Sequence, residues 1–215
     1  MKSESYYLDL FGKLGAIFKG SHFVYSKGGH GEDYVAKDLF GTYPQAEEMV
    51  HGLCEEIFNF RPEIICGPEL WGSLFAFGVY LDYIKHYDAS ARFCPIEKNH
   101  EAKDGEPSFI LRRGYDKLIK GKKITLIEDV LNTGGSAAES AWAVEQCGGK
   151  VIIVAALCNR GKVTAEKLGV PAVVSLVNVD MEVLTEEECK KRGPCSRNIP
   201  VRTDYGHGKQ YLEKT

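Results

Sequence analysis

The sequence predicts an α/β fold: a mainly parallel, doubly wound sheet with a small N-terminal hood and a C-terminal tail. Three observations carry this. From about residue 42 to 178, short apolar runs suited to buried strands alternate with segments of helical period. One stretch, Ile124-Thr-Leu-Ile-Glu-Asp-Val-Leu-Asn-Thr-Gly-Gly-Ser136, passes from an apolar strand through two carboxylates into a small-residue turn and a helix. The flanks, about residues 1–41 and 179–215, lack that alternation, the first rich in Gly, Tyr and Phe and the second polar. A length of 215 residues fits one such domain.

Each element follows in order. Ahead of the core only residues 7–18 hold a helical period. Residues 21–37 read as two short strands around a glycine-rich turn carrying Lys27 and His30, the histidine as an exposed turn residue. Thr42-Tyr-Pro-Gln45 reads as a capping box with an early proline, and Met49, Val50, Leu53, Ile57 and Phe58 continue at helical spacing. Residues 63–66 form a strand and 73–86 a largely apolar helix. Residues 92–96 form a strand whose Pro95 suggests an edge or a bulge, and 108–111 form another. After the motif strand come a helix over 136–147, closed by Gly148-Gly149, and strands over 151–157 and 172–177.

Composition excludes several classes. A net charge of −3 gives no global basic field for nucleic acid. The N-terminus has charges where a signal peptide needs its apolar core, and no apolar run approaches membrane-spanning length. Seven cysteines, an odd number mostly inside apolar segments, read as buried free thiols of a cytoplasmic protein. Cys189 and Cys195 form a C-x5-C pair without a second Cys/His pair at zinc-finger spacing, so no metal ligand is expected.

The carboxyl end of a parallel strand in an open α/β sheet is where ligands bind. Glu128 and Asp129 therefore stand at a site mouth, and Thr133 to Ser136 would offer backbone N–H groups and hydroxyls at a helix N-terminus, a cradle for phosphate. A ribose 5-phosphate suits both halves. This order of strand, acidic pair, Val130 and Leu131, then hydroxyl and glycine residues resembles the phosphoribosyl-pyrophosphate motif of type I phosphoribosyltransferases. Over nearly its whole length the chain is most similar to the orotate phosphoribosyltransferases among them. The resemblance implies that Glu128 and Asp129 hold the ribose hydroxyls and that Asn132, Thr133, Gly134, Gly135 and Ser136 bind the 5-phosphate. Asn132 stands where the family usually has threonine or another small residue.

Other segments gain meaning from their shared order. In Cys66-Gly-Pro-Glu-Leu-Trp-Gly72, glycines at both ends would let backbone approach a ligand. The family places its pyrophosphate loop here, so Glu69, Leu70 and Trp71 are assigned to it, Trp71 standing where orotate enzymes commonly have lysine. Arg112-Arg113-Gly-Tyr-Asp-Lys-Leu-Ile-Lys120 follows a strand taken to end at the ligand face, and paired arginines suit phosphate oxygens. By resemblance, Arg112, Arg113 and Lys117 belong to the mobile catalytic loop, here shorter than usual and without the family's histidine. Arg160, at the end of the strand after the motif helix, would meet the base; Tyr34 and Val35 would line its pocket, with Asn132 nearby, and Lys27 would sit in the hood.

The reaction so implied transfers a phosphoribosyl group from phosphoribosyl pyrophosphate to orotate, with Mg²⁺, in pyrimidine nucleotide biosynthesis. The partners are small molecules, neither nucleic acid nor membrane, and a homodimer with shared active sites is implied. A purine phosphoribosyltransferase and a non-catalytic phosphoribosyl-pyrophosphate sensor are the alternatives.

Overall fold

Apolar runs that can be buried on both faces decide the central layer, and the helices cover it. The computed structural model describes residues 2–25, 28–36, 44–103 and 106–214. By internal contacts the chain divides into two compact units, residues 1–7 with 44–179, and residues 8–43 with 180–215. Helix α1 (Glu4–Lys13) precedes four two-residue strands, β1 (Ile17–Phe18), β2 (Phe23–Val24), β3 (His30–Gly31) and β4 (Tyr34–Val35). The core elements are α2 (Ala46–Ile57), β5 (Ile64–Pro68), α3 (Trp71–His86), β6 (Arg92–Lys98), β7 (Phe109–Ile110), α4 (Tyr115–Ile119), β8 (Lys123–Leu131), α5 (Gly135–Gln146), β9 (Lys150–Asn159), α6 (Ala165–Leu168) and β10 (Val173–Asn178). Helices α7 (Glu186–Arg192) and α8 (Gly208–Leu212) complete the tail.

In the first unit one six-stranded sheet runs in the order β10-β9-β8-β5-β6-β7. All neighbours are parallel except β6 and β7. Helices α2 and α3 pack on one another, and α5 packs across β5, β7, β8 and β9. Between sheet and α5 lies a core of Ile64, Cys94, Ile96, Ile124, Leu126, Ala141, Val144 and Val154, all buried. Such two-sided burial explains why these strands read as apolar runs rather than alternations. Chain order reverses between β5 and β8: the chain steps outward through β6 and β7, then returns to build β8, β9 and β10 on the other side.

Several expectations shift. Strands β8 and β9 run further than their apolar stretches, because pairing continues through Glu128↔Ala156 and Leu131↔Asn159. Helix α2 starts after Pro44, with Gln45 as an N-cap that makes no side-chain cap bond; Thr42 of the expected capping box lies outside the described residues. Helix α1 comes earlier than its periodicity suggested, and Gly15, at φ +65°, follows its end. Pro95 is tolerated in β6 because β7 pairs only with Glu97 and Lys98. The tail is more ordered than its polarity implied: Thr185 and Glu188 form a reciprocal capping box at the start of α7.

The second unit joins hood and tail. Strand β1 pairs with β4 and β2 with β3, both antiparallel. The tail hydrogen-bonds to the β2–β3 hairpin on both sides, through Arg202 N to His22 O and His207 N to Val24 O, both 2.8 Å, and through a mutual His30–Leu184 pair. His30 is therefore fully buried, not an exposed turn residue. No helix among the described residues is long and apolar enough to cross a membrane.

Candidate active site

Strand order reverses between β5 and β8, and open α/β folds place ligands at the carboxyl edge of such a switch point. Three segments from the first unit meet that edge: the end of β8 with its turn, the β5–α3 turn and the end of β9. Glu128 and Asp129 lie within β8, 6% and 5% exposed. They are strand residues set back from the turn, and Asp129 Oδ1 accepts from Val130 N at 2.5 Å. The strand ends at Leu131. Asn132 and Thr133 form the turn, and Gly134 caps α5 at φ +81°, a conformation that favours glycine. Thr133 and Ser136 are exposed. The first amides of α5 lack intrahelical acceptors by helix geometry, so an anion at this turn meets N–H groups and the positive end of the dipole.

The end of β9 is held hard against this turn. Arg160 N and Gly161 N both donate to Leu131 O, at 3.0 and 3.1 Å. A Cβ on Gly161 would stand 1.4 Å from Asn132 O, so only glycine admits this approach. The Asn159 amide exchanges hydrogen bonds with Val163 N and O at 3.0 and 2.9 Å, fixing the loop that carries Arg160. Arg160 is half-buried beside the acidic strand. Burial pushes the neighbouring Cys158 thiol up to about 12, the Arg160 charge opposing and the Asp129 charge reinforcing the shift. That thiol stays protonated at neutral pH and offers no nucleophile.

The β5–α3 turn contributes differently from expectation. A Cβ on Gly67 would fall 2.2 Å from Gly72 O and 2.9 Å from Ile127 O, and one on Gly72 would fall 3.0 Å from Ile127 O. These glycines serve the contact of turn and β8 backbone rather than an opening for ligand. Glu69 is tied to β6, its N–H donating to Ile96 O at 2.9 Å and its carboxylate accepting from Lys98 N at 2.9 Å. Leu70 is exposed, Trp71 half-buried, and the Glu69–Leu70 peptide is cis.

The basic run at 112–120 is not the loop it was expected to be. Because β7 is antiparallel to β6, it enters at the carboxyl edge and runs away from it. Arg112 still reaches back to Asn99 Oδ1 at 3.4 Å, whereas Arg113 pairs with Glu97 at 3.1 Å. Lys117 rides on α4, a helix anchored by fully buried Ile119. Lys120 precedes Gly121, whose N–H donates to Gly148 O beside the starts of β8 and β9, at the opposite edge. At the carboxyl edge stands the β6–β7 connection, described over residues 99–103 and 106–108 and closed by Asn99 N to Ser108 O at 2.8 Å. Exposed Lys98, His100 and Lys103 stand on or beside it. Sequence reading passed over them because an antiparallel return cannot be told from a parallel crossover without the pairing. Tyr34 and Val35 lie in β4 of the second unit, Val35 buried and Tyr34 stacked on Phe23 at 5.1 Å. Lys27 lies outside the described residues.

No protein-family model matches the chain. Curated relatives do. An orotate phosphoribosyltransferase of Caldanaerobacter subterraneus subsp. tengcongensis is 32% identical over 197 residues, covering 90% of this chain and 93% of the relative. The chain belongs to the orotate phosphoribosyltransferase family. The Campylobacter fetus orotate phosphoribosyltransferase is likewise 32% identical, over 84% of this chain and 90% of its own length. Among solved structures, the orotate phosphoribosyltransferase from Aeropyrum pernix superposes with a TM-score of 0.62, at 20% identity over 86% of this chain and 97% of that one. An adenine phosphoribosyltransferase from Thermoanaerobacter pseudethanolicus shares the fold at a TM-score of 0.53 over 68% of this chain and 88% of its own. Type I phosphoribosyltransferase architecture is thus common to orotate and purine enzymes, and sequence identity places this chain with the orotate family.

Proposed function

We propose that this protein transfers the phosphoribosyl group of 5-phosphoribosyl 1-pyrophosphate to orotate, giving orotidine 5-phosphate and pyrophosphate in pyrimidine nucleotide biosynthesis. The observation that carries the reading is a buried acidic pair and a helix N-terminus side by side at the sheet's switch point, in a chain whose curated relatives are orotate phosphoribosyltransferases. The C1–oxygen bond to pyrophosphate breaks, its electron pair leaving with pyrophosphate, and a ring nitrogen of deprotonated orotate forms the new bond to C1. Positive charge develops on the ribose ring as negative charge grows on the leaving group, so the needs are electrostatic.

Glu128 and Asp129 hold the ribose hydroxyls and place negative charge near the electron-poor ring. The turn Asn132 to Ser136 receives the 5-phosphate on the first amides of α5, and Val130 and Leu131 carry the chain into that turn. Leu70 and Trp71 border the pyrophosphate through backbone, with Glu69 keeping the turn in place. Arg160, positioned by Asn159 and Gly161, offers a bidentate partner to an anionic base. The β6–β7 hairpin supplies Lys98, His100 and Lys103 to the pyrophosphate, with Arg112 at its foot. These residues match the lysine and histidine character of the family's catalytic loop better than Lys117 does. Buried carboxylate oxygens are hard donors that suit Mg²⁺, which binds phosphate and hydroxyl oxygens with few protein ligands and, when bound, supplies positive charge to the departing pyrophosphate. Free thiols throughout the described residues suit a reducing, cytoplasmic setting.

The deciding experiment offers the purified protein phosphoribosyl pyrophosphate, Mg²⁺ and, in turn, orotate, uracil, hypoxanthine, guanine, xanthine and adenine, and measures nucleotide formation. Orotidine 5-phosphate alone is expected. Turnover of a purine but not orotate would overturn the assignment of the base, and no turnover with any base would favour a sensor.

A further inference from the structure

The second unit contains a side-chain cluster that phosphoribosyl transfer does not use. His22 precedes β2, His30 lies in β3, Cys189 in α7, and Cys195 in a 3₁₀ turn, Pro194–Arg197. The first three are buried, at 2%, 0% and 0% exposure, and Cys195 is half-buried. One donor atom from each lies within 4.8 Å of every other. Cys195 Sγ stands 3.6 Å from His22 Nε2 and 3.6 Å from His30 Nδ1, Cys189 Sγ stands 3.9 Å from His22 Nε2, and the two ring nitrogens are 2.9 Å apart.

We propose that these four residues form a structural zinc site. Zinc held by thiolates at about 2.3 Å and imidazoles at about 2.0–2.1 Å in a tetrahedron has donor–donor edges of roughly 3.3–3.8 Å. The sulfur–nitrogen distances fall on or just outside those edges, and the nitrogen–nitrogen distance falls just inside. Orientation agrees. His22 Nδ1 meets Ile199 O at 2.8 Å, so that nitrogen carries the proton and Nε2 turns its lone pair to the cluster. Cys195 N donates to Cys189 Sγ at 3.2 Å, which fixes that sulfur beside the other three donors. Four protein donors close the coordination sphere, which marks a structural ion rather than a catalytic one. On binding, the two thiols release their protons to solvent, the His30 ring takes the tautomer with its proton on Nε2 so that Nδ1 is free to ligate, and two thiolates balance the charge of Zn²⁺, leaving no net charge in a buried place.

The ligands explain what the ion does. Two come from the β2–β3 hairpin and two from the tail, with His22 and Cys189 167 positions apart in the chain. Zinc would lock the tail onto the hairpin beside the His30–Leu184 and His22–Arg202 backbone bonds, in a unit whose small strands bury little core on their own. This proposal does not depend on which base the enzyme accepts.

The full chain, purified without chelator, loaded with zinc and desalted, is analysed for bound metal by mass spectrometry. Its thiols are counted after denaturation without reductant. About one zinc per chain is expected, with all seven cysteines titrating. Replacement by Co²⁺ should give thiolate-to-cobalt charge-transfer absorption and the intense visible bands of a tetrahedral ion. Cys195→Ser and His30→Ala should each fall below about one tenth of a zinc per chain. If those variants do not fold, the wild-type cobalt spectrum decides. Sub-stoichiometric zinc in folded wild-type protein, or a weak octahedral cobalt spectrum, would overturn the site. So would five titrating thiols, which would mean that Cys189 and Cys195 form a disulfide.

Discussion

In the proposed mechanism Asp129 is the most informative single side chain: a buried carboxylate two residues before the end of β8. Replacing it by Asn keeps shape and removes charge. Asp129→Asn should lower kcat/KM by about 10²–10³-fold, the range for a single electrostatic contact made in the transition state. The thermal midpoint should move little, and turnover near wild type would remove the acidic pair from the mechanism. Arg160 tests the other end of the substrate. It is held by its own backbone on Leu131 O and by the Asn159–Val163 clasp, so truncating its side chain leaves the loop intact. Arg160→Ala should lose about 1.5–3 kcal/mol of orotate binding, with the KM for phosphoribosyl pyrophosphate largely unchanged. Equal weakening toward both substrates would make it a structural arginine.

At the scale of elements, the β6–β7 hairpin and α4 make opposite predictions. The hairpin leaves from the carboxyl edge, while α4 descends from it and is docked by Ile119. His100→Ala and Lys103→Ala should therefore each reduce kcat by at least about 10-fold, without a loss of stability, because both side chains are exposed. Lys117→Ala should stay within about two-fold of wild type, as surface substitutions away from a site generally do. Steady-state kinetics of the three variants side by side decide between the two segments. The reverse ranking would return the catalytic loop to the Arg112–Lys120 run. The hairpin escaped the sequence reading for a physical reason. Its return strand is two residues long, and too short a run cannot reveal its direction.

For the whole molecule, α3 is the informative surface. It is apolar nearly all round, and Leu70, Leu74, Phe77 and Leu81 leave a stripe 60%, 51%, 46% and 47% exposed along and just ahead of it. We propose that a second copy of the chain covers this stripe, since exposed apolar faces suit an interface and two-fold dimers are the commonest soluble oligomers. Phe77→Asp combined with Leu74→Asp should shift the protein from dimer to monomer in sedimentation velocity. If catalytic hairpins are shared across the interface, a mixture of Asp129→Asn and Lys103→Ala proteins should, after subunit exchange, exceed the activity of either parent. Exchange without recovery would mean that each chain builds its own site.

By itself the sequence determined the α/β class, the order of the core elements, and the acidic strand with its glycine turn. All of these depend on local patterns: apolar runs, helical spacing, and Glu128-Asp129 followed by Thr133 to Ser136. Lengths near the edge were less legible, because β8 and β9 extend as far as their mutual pairing rather than as far as their apolar residues. Only the tertiary structure decided the antiparallel turn of β7, and with it which basic segment stands at the carboxyl edge of the sheet. It also decided that Gly161 is required by Asn132, a neighbour distant in sequence. The His22–His30–Cys189–Cys195 cluster belongs to the same class. Each pair is unremarkable alone, at spacings that fit no familiar metal motif, and the four donors converge only when the tail folds back on the hood hairpin. Contacts between residues far apart in the chain leave no periodicity to read, so long-range geometry had to come from the fold.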